Sequence, residues 1–244
     1  MKILKTESKN KQPRRGCRDI WNAFMAKKAL FGKHDIPLCP TTATQIPSDI
    51  ITWEEAKNIH NKRRQDERYS YPAYVCFYLD DYKFDTPNGI WNNPLQALSI
   101  IRHFEGVITP DYSTYQDFPE PLKIYATYRM RLFGYWLGKN GIQVINNVRW
   151  GTSETWDYCF EGIPHDSIVA IGTVGGNPRR LVDRTRFNEG FERMIKTLHP
   201  KTIIVYGSSL YPCFKDAVQT GISVISFKSA TARAFANKKG AENE

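Results

Sequence analysis

Five short polar segments, each directly following an apolar run, hold the side chains best suited to chemistry. Asp80 and Asp81 close the run Tyr74-Val-Cys-Phe-Tyr-Leu79, and Asp111 and Tyr112 follow Gly106-Val-Ile-Thr-Pro110. Asn146 and Asn147 end a third run, with Arg149-Trp150-Gly151 just beyond. Thr173-Val-Gly-Gly-Asn-Pro-Arg-Arg180 follows a fourth, and Tyr206-Gly-Ser-Ser209 a fifth.

The residue types point toward an anion. Arg149, Arg179 and Arg180 carry fork-shaped donors that match phosphate or carboxylate. Gly175 and Gly176 let backbone N–H groups turn toward one point, and Ser208 offers a hydroxyl and an N–H near a helix start. Trp150 or Tyr112 could stack on a base, and Asn146 adds a polar group at its strand end. Asp80 and Asp111 are the candidate catalytic residues, as bases or as ligands of Mg²⁺ or Mn²⁺ in phosphodiester chemistry. Glu154 and Asp157 could serve as acid–base groups only if their helix faces the same pocket.

Each of these has a plainer competing role. Aspartates are common turn residues, paired glycines make ordinary turns, tryptophan packs under loops, and serine caps helices. The glycine segment fits neither the GxxxxGK[ST] phosphate loop nor the GxGxxG dinucleotide fingerprint. None of the five histidines, His34, His60, His103, His165 and His199, falls at a strand end, and no Ser–His–Asp or Cys–His arrangement can be read from the spacing. The five cysteines are scattered without a CxxC pair, which argues against zinc and for a reduced, cytoplasmic setting.

The elements that must position these residues repeat regularly. Six apolar runs between Tyr74 and Phe227 alternate with helical stretches of ten to twenty residues. Alternation of that kind predicts right-handed crossovers and a parallel α/β sheet of about six to seven βα units. Either a partial barrel or an open doubly wound sheet satisfies it, and in both the ligand sits beyond the strand C-termini. Thr52 and Glu55 form a capping box that opens a helix running to about Arg68, and Ile50-Ile51 before it can supply another strand. The charge run Lys62 to Glu67 reads as the solvated face of that helix.

Ahead of the repeat, residues 1–35 read as a basic arm followed by a helix from Ile20 to Phe31 capped by Asp19. The α/β domain takes 36–230, and 231–244 reads as a polar, frayed tail. The net charge of +9 favours anionic partners such as nucleic acid or nucleotides, with residues 2–18 alone holding seven Lys and Arg against Glu7. No run approaches the roughly 20 apolar residues that a membrane-spanning helix needs.

The ordered motifs Gly106-Val-Ile-Thr-Pro-Asp-Tyr112, Asn146-Asn-Val-Arg-Trp-Gly151, Gly175-Gly176 and Val205-Tyr-Gly207 resemble an uncharacterised domain family of bacteria and their phages. The resemblance covers about Ile36 to Phe227 and leaves out the basic arm. It implies a phage or mobile-element setting and treats the strand ends as one site, while bringing no catalytic residue or substrate. Three functions follow. The rim recognises phosphate of nucleic acid or nucleotides, with or without phosphodiester chemistry; it sequesters a nucleotide without catalysis, interfering with host defence; or the chain is an interaction protein docking by its arm.

Overall fold

A computed structural model describes residues 13, 15–174 and 181–241 of the chain. Among the described residues seven strands form one sheet: β1 (Ile50–Thr52), β2 (Tyr71–Cys76), β3 (Phe104–Ile108), β4 (Val144–Asn147), β5 (Ile168–Gly172), β6 (Thr202–Tyr206) and β7 (Ser223–Phe227). The six α-helices are α1 (Trp53–Arg63), α2 (Pro94–Ile101), α3 (Glu120–Lys139), α4 (Leu181–Leu198), α5 (Pro212–Gln219) and α6 (Ala230–Ala241).

Every strand pair is parallel, and the spatial order is the chain order, β1 through β7. A doubly wound sheet reverses its strand order at a switch point. No reversal occurs, so the open doubly wound alternative is excluded, and the sheet curls into a half barrel. Right-handed crossovers between successive neighbours place the connecting helices on one face.

Side-chain parity bears this out. Val75, Phe77, Val107 and Val144 pack with residues of α1, α2 and α3. Val169, Ile171, Ile203 and Val205 pack with residues of α4 and α5. The opposite parity, Ile50, Tyr74, Cys76, Tyr78, Ile108, Ile145, Ala170, Ile204 and Tyr206, forms a separate cluster containing no residue of those five helices. This concave face is crowded by tyrosines. Gly172 on β5 makes room for one of them, since a Cβ there would lie 2.4 Å from the Tyr78 ring.

β4 pairs at only two positions on each side, Val107–Val144 and Ile108–Ile145 with β3 and Asn146–Val169 and Asn147–Ala170 with β5. Residues 39–43 bond to both β4 and β5 where they separate. Thr42 exchanges bonds with Val144, Thr41 Oγ1 donates to the Ile168 carbonyl, and the Cys39 carbonyl accepts from Asn146 Nδ2. These bonds satisfy backbone groups that a partner strand would otherwise take.

Three segments differ from the sequence reading. The N-terminal helix is only a 3₁₀ turn at Ala23–Ala26; Asp19 does accept from the Ala23 amide, but Lys28 takes φ 66° and ends the helical path. The segment of Glu154 and Asp157, read as helical from the sequence, likewise holds a single 3₁₀ turn, Ser153–Thr155. The C-terminal tail is the helix α6, held by its contacts rather than by its composition. The Ala230 amide donates to the Tyr206 hydroxyl (2.9 Å), and Arg233 Nη1 donates to the carbonyls of Ile50 and Lys228 (2.9 Å each). Arg233 Nη2 lies 2.8 Å from both carboxylate oxygens of Glu55. Glu55 is also the N3 residue of the α1 capping box, in which Thr52 and Glu55 satisfy each other as the sequence predicts. One carboxylate therefore ties α6, after the last strand, to β1, the first.

Candidate functional site

The strand C-termini converge on Asn147, the last residue of β4. Its N–H donates to Thr109 Oγ1 (2.8 Å) and its carbonyl accepts from Arg131 Nη1 (3.0 Å). Its side-chain oxygen accepts from the Tyr78 hydroxyl (3.0 Å), and its Nδ2 donates to Asp111 Oδ1 (2.8 Å). All four polar groups of a fully buried residue are satisfied, by partners from the segment after β2, the β3–α3 loop and α3.

Asp111 continues the chain of bonds. Its second oxygen accepts from Arg149 Nη1 at 2.7 Å. The order is Tyr78 to Asn147 to Asp111, with Arg149 closing from the solvent side; the Arg149 side chain keeps 24% of its surface exposed while Asp111 keeps 12%. A buried relay of this kind is expensive unless every member is paired, and here every link is a short bond. Its effect is to fix one edge of the Arg149 guanidinium and leave the remainder of the fork to face outward.

Behind the relay stands Arg131, fully buried on α3. Its guanidinium donates to the carbonyls of Glu161 (3.1 Å), Asn147 (3.0 Å) and Cys159 (3.1 Å), and among the described residues no carboxylate pairs with it. Burial pulls its pKa down to about 10, which still leaves it charged at neutral pH. An unneutralised cation behind the strand ends raises the potential at the rim.

In front of Arg149 lies a cleft of about 290 Å³ between the ends of β4 and β5 and the first turns of α4. Asp111, Gln116, Arg149, Trp150, Thr152, Asp183 and Arg186 face it, with Val148, Ile171 and Phe187 as its apolar floor. The Thr152 hydroxyl is buried with no hydrogen-bond partner among the described residues. Asp81 sits on the neighbouring loop and accepts from the Ser113 amide (3.1 Å) and hydroxyl (2.9 Å), latching the loops that follow β2 and β3. Burial raises its pKa and outweighs the Ser113 bonds.

The residues singled out from the sequence divide accordingly. Asp111, Arg149 and Trp150 come together at the cleft. Trp150 also packs on Phe187 (ring centroids 5.3 Å apart) and lies over Gly190, where a Cβ would approach its Cδ1 to 2.1 Å. Asp80 is exposed at the cap of a 3₁₀ turn, and Asp81 makes the contact toward the site instead. Tyr112 is not open to a base: it is fully buried, with the Arg129 guanidinium 3.8 Å from its ring centroid and Phe84 beside it. Asn146 has the wrong parity and turns toward the Cys39 carbonyl, away from the relay that Asn147 anchors. Ser208 is exposed and accepts from the Leu210 amide (3.3 Å), a local turn bond. Gly175, Gly176, Arg179 and Arg180 lie outside the described residues. Asp157 bonds Lys33 (2.6 Å) and His34 (3.2 Å) rather than entering the cleft.

Among the described residues no group of three or more His, Cys, Asp or Glu is arranged to hold a metal ion, and both Asp111 oxygens are already committed to donors. Asp80, read from the sequence as a Mg²⁺ or Mn²⁺ partner of Asp111, is exposed and does not line the cleft with it. Sequence reasoning missed Tyr78, Thr109, Arg131, Asp183 and Arg186. Tyr78 could have been found by its even spacing from Tyr74 and Cys76 on one strand face.

A singly wound parallel half barrel with a polar relay and a cleft at its strand C-termini defines an α/β protein of the type that places its ligand site on that rim. The chain belongs to the family described as Domain of unknown function (DUF4417), whose model matches residues 30–228. It is 31% identical over 179 residues to the Gene 1 protein of Mycobacterium phage D29, covering 73% of this chain and 62% of that protein. It is 34% identical over 162 residues to the Gene 1 protein of Mycobacterium phage L5, covering 66% of each. The chain thus spans a little under two thirds of the length of these curated relatives. No solved structure matches it.

Proposed function

We propose that the cleft beyond β4 and β5 binds a small phosphate-bearing ligand of the nucleotide class and holds it without covalent chemistry. The observation that carries this reading is the placement of Arg149, anchored at one edge by Asp111 and open to the cleft on the other. A guanidinium so fixed has already lost much of the rotamer freedom that binding would otherwise cost, up to about 2 kcal/mol for a free arginine. The buried Arg131 charge adds to the attraction, Arg186 supplies a second fork at the wall, and Trp150 with Phe187 gives an apolar surface for a ring.

The size of the cleft favours a small molecule over a duplex, because ligand pockets run from about 300 to 1,000 Å³. Asp111 acts here as the group that orients Arg149. Nucleic acid is the second reading, favoured by the net charge of +9. The two separate by salt: a nucleic-acid complex weakens with a log–log slope near −0.9 per phosphate neutralised, whereas a nucleotide in a cleft responds weakly. A thermal-shift panel of nucleoside mono-, di- and triphosphates tests the proposal. One class should raise the melting temperature of the wild type and be recovered unchanged, and Arg149→Gln should abolish that rise. A rise that persists in Arg149→Gln, or turnover of the nucleotide, contradicts it.

A further inference from the structure

At the N-terminal ends of β2 and β3, away from the strand-end cleft, the His60 and His103 rings pack around Tyr69. The Tyr69 and His103 rings stack, with centroids 4.2 Å apart and planes 9° from parallel. His60 on α1 lies with its ring centroid 5.5 Å from that of His103. Both imidazoles are anchored through the same nitrogen. His60 Nδ1 bonds the Tyr69 hydroxyl at 2.9 Å, and His103 Nδ1 lies 3.0 Å from the Tyr69 carbonyl, to which it donates. Nε2 of each ring has no hydrogen-bond partner among the described residues. The pair borders a cavity of about 410 Å³ completed by Arg64, Asp66, Glu67, Ser99 and Arg102.

We propose that this cavity is a second binding site, taking a tetrahedral oxyanion of the phosphate or sulfate class. Arg64 and Arg102 supply forked donors, Ser99 a hydroxyl, and the two Nε2 atoms become N–H donors when the rings protonate. The charged groups around the pair are Arg63, Arg64 and Arg102 against Asp66 and Glu67. Arg63 is drawn over the Tyr69 and Tyr71 rings at 6.0 and 5.9 Å, and Asp66 is turned back onto the Arg68 amide (3.1 Å). The arginines make a cation an unsuitable occupant, and among the described residues the histidines are not joined by a third metal-ligating group. Burial and the neighbouring His103 both lower the His60 pKa, so an anion between the rings would relieve the repulsion that disfavours double protonation.

The site is independent of the strand-end cleft. Sulfate is the probe for the first arm because it stays a dianion across the imidazole titration range; inorganic phosphate is the second. Each is titrated into the full chain at constant ionic strength, following the histidine ring signals by NMR. Both anions should raise the titration midpoints of His60 and His103, and sulfate should bind more tightly at pH 6 than at pH 8. The exposed pair of substitutions Arg64→Gln and Arg102→Gln should weaken binding about tenfold or more while leaving melting temperature intact. Arg149→Gln should leave the response at the two histidines unchanged, which separates this site from the cleft. Midpoints that do not move, an equal response in the Arg64→Gln/Arg102→Gln protein (an adventitious ion only), or tight zinc binding at the two imidazoles would each overturn the proposal.

Discussion

Asp111 and Arg149 meet at 2.7 Å across the ends of β3 and β4, and only one of the two is held on its far side. Asp111 is fixed by Asn147, whereas Arg149 faces the cleft. Removing the carboxylate strands two donors at once. Asp111→Ala should therefore cost roughly 2–4 kcal/mol, as expected for breaking a largely buried ion pair. Urea unfolding monitored by tryptophan fluorescence measures it. A loss below about 0.5 kcal/mol, the range of ordinary surface substitutions, would mean that the relay does not hold the rim.

Tyr78 offers a gentler cut at the other end of the same relay. Tyr78→Phe keeps the ring stacked on Tyr206, whose centroid is 5.3 Å away, and removes only the hydroxyl that bonds Asn147. The expected cost is about 1–2 kcal/mol, the ordinary toll for leaving a buried acceptor unpaired. Gly172→Ala attacks the same ring sterically. Its Cβ would lie 2.4 Å from Tyr78, and overpacking of that kind costs about 1–3 kcal/mol. The two losses should combine less than additively in the double variant, because both act on one ring.

The strand repeat was legible from Tyr74 onward because parallel strands covered by helices are apolar and their connections carry helix caps, whereas the strand order that separates a half barrel from a doubly wound sheet was not. The Thr52–Glu55 box was legible for the same local reason. The relay was not. Asn146 and Asn147 are identical in type, and only the pairing of β4 decides which of them faces the strand-end network. Tyr112 looked like a rim residue by position, yet Arg129, seventeen places on, closes over it. The helix α6 was invisible because its order comes from Arg233 reaching Glu55, a contact 178 residues away in the chain, and not from any apolar stripe.

That last contact predicts a pH signature. Burial tends to raise the Glu55 pKa, but the bonds from Thr52 and Arg233 outweigh it and leave the group below its ordinary value. A depressed carboxylate contributes stability that is fully present above its unfolded pKa, near about 4.3 for glutamate, and is lost as pH falls through the lower folded value. Arg233→Ala should cost on the order of 1 kcal/mol at pH 7 and less at pH 3. Equal destabilisation at both pH values would show that the Glu55 charge plays no part in holding α6.

Thiol reactivity gives an independent check on the core. Cys17 is exposed, while Cys39, Cys76, Cys159 and Cys213 are buried. Burial pushes the Cys39 and Cys159 thiols up to about 12, so almost no thiolate exists there at neutral pH. A disulfide reagent added to the native chain should label Cys17 first, with the other four reacting only on addition of denaturant. Rapid labelling of Cys39 or Cys76 in the native state would contradict the packing described for the concave face and for residues 39–43.

The most direct test of the strand-end site is an experimental structure of the chain with the nucleotide that raises its melting temperature most. A phosphate oxygen is expected within about 2.7–3.2 Å of an Arg149 guanidinium nitrogen, with the Asp111–Arg149 bond still formed. A phosphate bound elsewhere with Arg149 untouched, or an Arg149 that leaves Asp111 to make the contact, would contradict it.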